Sequence, residues 1–108
     1  MAATPTIARI WRGRTRRDVA DHYERYLKAE GIPPLVRTAL GVQLLREDRA
    51  DETWFTTISY WADQDAMRAF TKGAPLAVHH LDRDPEFLIE LPECIEIHRI
   101  LVDRRSGS

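Results

Sequence analysis

A single cysteine, Cys94, stands in a chain of 108 residues, which excludes an internal disulfide and points to a reducing, cytoplasmic setting. Nothing near it in sequence would lower its pKa, so Cys94 reads as a small residue at the start of the last strand rather than as a nucleophile. No apolar run is long enough to span a bilayer, and the first five residues lack the apolar stretch of a signal peptide. An excess of one charge is missing too. Sixteen Lys and Arg against 17 Asp and Glu leave a net charge of −1, with no general pull toward nucleic acid or an anionic membrane. The local cluster Arg9, Arg12, Arg14, Arg16 and Arg17 reads as a solvated strand end, with binding of an anionic substrate as the sharper alternative. Metal-site spacing of the His-x-x-x-His kind is absent, as is any Cys or carboxylate cluster. The adjacent pair His79-His80 would point about 100° apart on a helix, so the two cannot share one metal.

What is present is a clear alternation of periods. Residues 6–13 alternate as a strand, with Ile7, Arg9 and Trp11 on one face and Ala8, Ile10 and Arg12 on the other. A helix starting at Thr15 or Asp18 should run to about Glu30, with Val19, Tyr23, Tyr26 and Leu27 as its stripe. Gly31 would close it at positive φ, and Ile32-Pro33-Pro34 would stop it. Residues 40–46 form a second strand and residues 53–61, rich in Thr, Trp, Phe, Ile and Tyr, a third, joined by a charged turn over 47–52. Asp63 caps a second helix with Ala66, Met67, Ala69 and Phe70 as its buried stripe. Gly73 and Pro75 interrupt that helix, and a short turn then carries Leu76, Ala77, Val78, His79 and His80. After Asp84-Pro85-Glu86-Phe87-Leu88, a short turn of helix or an extended crossing, residues 93–102 form the fourth strand.

The order strand, helix, strand, strand, helix, strand defines an α+β, ferredoxin-like βαββαβ fold with a four-stranded antiparallel sheet. Residues 1–103 form its single domain and 104–108 a polar tail without fixed structure. Both helices should cover one face of the sheet. The other face keeps apolar and aromatic residues, which predicts a second sheet packed on it, most simply in a homodimer.

Candidate chemistry gathers around that frame. His79 and His80 are either rim histidines or, for at least one of them, a base or iron ligand. His98, mid-strand between isoleucines, is either a satisfied half-buried residue or a hydrogen-bond partner for a bound phenol or carbonyl. Arg9 on the covered face would be a buried cation in need of an anion. Trp11, Tyr23, Tyr26, Trp61 and Phe70 are core residues first and candidate walls for a flat aromatic ligand second. Trp54 belongs with the core or an interface.

The chain resembles the antibiotic-biosynthesis-monooxygenase superfamily of dimeric α+β barrels from Ile7 to about Val102. The resemblance is carried by residues 7–13 (IARIWRG), Tyr23 and Tyr26, Ser59-Tyr60-Trp61 followed by Ala66-Met67-Arg68-Ala69-Phe70, residues 84–88 (DPEFL) and Ile95-Glu96-Ile97-His98. It implies a homodimer in which each subunit holds a pocket between helices and sheet. Members include cofactor-free monooxygenases that oxidise aromatic polyketides, haem-degrading enzymes, and isomerases and cyclases of natural-product pathways. In the haem-degrading branch a helix histidine ligates iron, while a Trp and an Asn shape the distal side. Here Trp61 and the His79-His80 pair fall in suitable places, but the chain contains no Asn. The region around Val36-Arg37-Thr38-Ala39-Leu40 also departs from the family, where a Pro-Gly turn would often fall.

The resemblance thus implies a cofactor-free oxygenase acting on an aromatic or polyketide-type molecule. Its alternatives are a haem protein, an isomerase or cyclase, and a small-ligand-binding dimer.

Overall fold

The structure is a computed structural model, and it describes residues 4–71, 81–93 and 95–104. His79, His80, Cys94 and the turn at 76–80 therefore lie outside the described residues. Strand β1 (Ile7–Arg16) is followed by a 3-10 turn (Arg17–Val19), α1 (Ala20–Tyr26), a π turn (Leu27–Gly31) and α2 (Ile32–Thr38). Then come β2 (Gly41–Asp48), β3 (Glu52–Trp61), α3 (Gln64–Thr71), α4 (Asp84–Phe87) and β4 (Glu96–Arg99). The strands lie in the order β2-β3-β1-β4, every neighbouring pair antiparallel. This is the expected ferredoxin-like arrangement.

The first helix does not stop where the prolines predict. Pro33 and Pro34 lack the N–H groups that would bond to the carbonyls four residues back, and a proline ring crowds that carbonyl. The chain answers by widening one turn rather than ending the helix. The Ile32 N–H donates to the Leu27 carbonyl, five residues back, and the helix continues to Thr38. Gly31 accordingly has φ −85°, in the right-handed region, instead of the positive φ of a helix terminator.

Strand β4 is also shorter than its apolar pattern suggests. The Ile100 N–H donates to the Thr6 carbonyl at 2.8 Å as β1 begins, so Leu101 and Val102 run on past their partner and stay exposed. Asp63 caps α3 as expected: its Oδ1 accepts the Ala66 N–H at 2.8 Å.

Along β3, Thr53, Phe55, Thr57, Ser59 and Trp61 are buried under the helices, while the residues between them are half-buried on the uncovered face. The core under the helices falls into two clusters. One joins Ala20, Tyr23, Leu27, Phe55 and Leu88; the other joins Ile7, Leu35, Trp61 and Met67. Between them lies the site.

Candidate functional site

The two clusters are kept apart by a row of polar side chains on the covered sheet face. Arg9 on β1 pairs with Ser59 on β3, and Trp11 pairs with Thr57, so the period-2 alternation of both strands brings Arg9, Ser59 and Thr57 to one patch. Above it opens a cavity of about 350 Å³, lined also by Trp11, Tyr23, Leu27, Leu35, Phe70, Leu81, Asp84 and Ile95. Its rim carries Glu30, Gly31, Ile32 and Pro34, so the widened turn forced by the prolines forms part of the wall.

Arg9 is 7% exposed, and burial pulls its pKa below the ordinary value, yet a guanidinium remains charged at any working pH. A fixed cation in a mostly apolar hollow favours a ligand with a negative oxygen. Ser59 Oγ accepts the Trp61 Nε1–H at 2.9 Å and reaches the Arg9 carbonyl at 3.4 Å. Thus the indole of Trp61 fixes the floor from behind. On the opposite wall the Tyr23 hydroxyl donates to Asp84 Oδ1 at 3.0 Å, and Asp84 Oδ2 accepts the Leu81 N–H at 2.9 Å. Burial, then the adjacent carboxylate, drives the Tyr23 pKa far above the usual phenol range.

Trp11 owes its position to Gly13, two residues on along the same face. A Cβ at Gly13 would lie 2.6 Å from the Trp11 ring, so only glycine lets the indole lie back along the strand beside the cavity.

Of the expected site residues, the cavity gathers Arg9, Trp11, Tyr23 and Phe70. It does not gather three others. Trp61 is 1% exposed and packs at 5.4 Å from Phe70 with its N–H spent on Ser59. Tyr26 turns one helical step away, where its hydroxyl accepts the Arg83 N–H at 2.9 Å and its ring stacks on Phe87. His98 pairs with Ala8 across the strands, which puts it on the uncovered face, exposed, with Nε2 3.1 Å from Glu96 Oε1. Asp84 and Gly13 are not among the candidates that sequence reasoning singles out. Asp-Pro at a helix start and the Trp-x-Gly spacing on a strand are the signals that could have found them.

Among the described residues, no three His, Cys, Asp or Glu side chains form a metal-holding group. Nor does a described His, Cys or Met line the cavity. Tyr23 could ligate a haem iron in principle, but its hydroxyl is engaged by Asp84 in the form that disfavours the phenolate. Among the described residues lining the cavity none offers an unengaged haem ligand, and the His79-His80 pair expected to supply one lies outside them.

No family model matches the chain, and no curated protein matches it in sequence. Solved structures do match it in shape. The fold is shared with solved proteins described as an antibiotic biosynthesis monooxygenase and as a haem degrader. A Bacillus cereus protein assigned as an antibiotic biosynthesis monooxygenase superposes with a TM-score of 0.66 at 9% identity, over 95% of this chain and 100% of that one. A Nitrosomonas europaea protein of unknown function gives 0.63 at 13%, over 96% and 97%. The haem degrader MhuD of Mycobacterium tuberculosis, solved with two haems in its active site, gives 0.52 at 19%, over 92% and 99%. At these identities the likeness is one of fold.

Proposed function

We propose that this chain is a small cofactor-independent oxygenase acting on an aromatic or polyketide-type phenol or enol held between the helices and the sheet. The observation that carries the reading is the apolar cavity floored by the buried guanidinium of Arg9 beside Thr57 and Ser59. A volume of about 350 Å³ lies at the lower end of small-ligand pockets, which run from roughly 300 to 1,000 Å³. Unfilled space of this kind weakens a core, and a ligand that occupies it recovers the lost contacts.

Without a cofactor the substrate itself must reduce oxygen. Its hydroxyl loses a proton, and the resulting anion delivers electrons to dioxygen. The conjugated ring C–H carbon becomes a carbonyl, and its hydrogen and the hydroxyl proton leave with the second oxygen atom as water. Arg9 stabilises the anion, in a site where exclusion of water strengthens the interaction. Two copies would pair through the uncovered sheet face, where Ile10, Ile58 and Tyr60 are half-buried and Leu45 is exposed.

The test is oxygen uptake with a panel of anthrone- and naphthol-type phenols. Uptake should match product carbonyl one for one, and Arg9→Met should weaken turnover roughly 10- to 150-fold, the equivalent of one charge-assisted hydrogen bond at about 1.5–3 kcal/mol. Turnover that persists without oxygen would replace this reading with an isomerase or cyclase. A saturable, red-shifted Soret band on hemin titration, lost on His79→Ala or His80→Ala, would replace it with haem chemistry.

A further inference from the structure

Assigning Arg9 leaves a second polar pair in the cavity wall without a role. Tyr23 comes from α1 and Asp84 from the first turn of α4, 61 residues later, and they are 0% and 2% exposed. We propose that Tyr23 and Asp84 form a proton relay that ionises the bound substrate. The substrate hydroxyl passes its proton to Tyr23 Oη as the Tyr23 proton moves to Asp84 Oδ1. The substrate O–H bond breaks and leaves its electron pair on oxygen, the tyrosine hydroxyl is re-formed, and Asp84 becomes the carboxylic acid. The inference rests on the preceding reading only in requiring an acidic phenol or enol as ligand.

Geometry supports this direction of transfer. The Tyr23 proton is already aimed at Asp84 at 3.0 Å and both side chains line the cavity, so the hydroxyl oxygen keeps its acceptor capacity for a ligand proton. Burial makes a stored tyrosinate costly, which favours a concerted handover over a stepwise one. Starting α4 does not call for the phenol: Pro85 sits at its first turn, and Asp84 Oδ2 alone holds the Leu81 N–H. Among the described residues, the other ionisable groups nearby are Tyr26, with its ring 6.2 Å from that of Tyr23, Arg83 above Tyr26, and Arg9 and Glu30 around the cavity.

The experiment uses 4-nitrophenol, whose phenolate absorbs in the visible, at a pH below the probe's own pKa. Wild type should bind it as phenolate while releasing no proton to the medium, read by titration calorimetry in two buffers of different ionisation enthalpy. Tyr23→Phe and Asp84→Asn should still bind it but leave it as the uncharged phenol, with ionisation of the bound probe moved up by at least about one pH unit, a tenfold change in proton concentration. Tyr23→Phe keeps the ring and its packing, so it decides the matter if Asp84→Asn folds poorly. A phenolate band unchanged in Tyr23→Phe overturns the relay and leaves the phenol pocket standing. A wild-type protein that does not bind the probe removes the pocket reading, and the relay with it.

Discussion

The two faces of the sheet are built from the same strands and differ in almost everything else. On the covered face of β3, Phe55 and Trp61 are 0% and 1% exposed, and the polar members of the row, Thr57 and Ser59, are buried with them. On the uncovered face the alternate residues Trp54, Thr56, Ile58 and Tyr60 are half-buried, and Trp54 sits between the guanidinium groups of Arg14 and Arg49 at 5.6 and 5.2 Å. One face hides polar groups inside an apolar core. The other leaves apolar groups under a light cover of charge. Burying Arg9, Thr57 and Ser59 costs stability that a plain hydrophobic row would not, and all three line the cavity of the proposed site. The uncovered face has the converse imbalance, which a second sheet would relieve.

The sharpest contrast between the faces is in packing. Phe55→Ala should destabilise the protein by about 3–5 kcal/mol, as expected for a buried aromatic, and thermal unfolding would measure it. The ring is held between Tyr23, edge-on at 5.3 Å, and the Arg46 guanidinium at 5.8 Å. A loss no larger than that of a surface substitution would mean that the covered face is not the core. Next in size is the effect on assembly. Ile58→Asp places a charge in the middle of the uncovered face and should convert a dimer to a folded monomer at micromolar concentration. Light scattering would report it, and a wild-type protein that is already monomeric would remove the face-to-face pairing.

The third prediction joins packing to the site. Gly13→Val introduces atoms where the Trp11 ring already lies, with Leu88 Cδ2 at 3.1 Å from the new Cβ. It should cost about 1–3 kcal/mol through overpacking and push the indole toward the cavity, weakening nitrophenol binding. Unaltered stability together with unaltered binding would show that Trp11 does not depend on this glycine.

Alternation makes the strands and their faces legible in the sequence, because a period of two is a local property and the pairing partners share it. Thus the pattern of residues 6–13 is enough to put Arg9 and Trp11 on one face of β1. Helix ends are less legible. Pro33 and Pro34 usually end a helix, but here burial of Leu35 against Ile7, Trp61 and Met67 outweighs the lost hydrogen bonds, and a widened turn absorbs them. That competition is tertiary, so no window of sequence contains it. The cavity is hidden for the same reason: Tyr23 and Asp84 meet only because α4 folds back on α1. Tyr26 and Trp61 carry the right chemistry for a ligand wall, but their hydroxyl and N–H groups serve as internal fasteners to Arg83 and Ser59.

The smallest expected effect tests whether the charged rim beyond the core contributes to stability. Arg46 donates to Asp21, Glu24 and Asp48 at 2.8–2.9 Å, and these contacts raise its pKa above the ordinary value, Glu24 foremost. The carboxylates answer in the opposite direction. Glu24 is held below its ordinary pKa by Lys28 first and Arg46 second, and Asp48 by the Thr53 hydroxyl first and Arg46 second. Because these folded-state values lie below the unfolded ones, the unfolded chain binds more protons on acidification. Their contribution is therefore complete above the ordinary carboxylate range and is lost as pH falls through the lowered values. Arg46→Met should let both carboxylates return toward ordinary values and move the acid-unfolding midpoint to slightly higher pH. These groups are largely solvated, so the change should be small at low ionic strength and vanish in about 1 M salt, where the screening length falls to about 3 Å. A midpoint shift that survives high salt would show instead that the Arg46 stem, packed over Phe55, acts through the covered face rather than through charge.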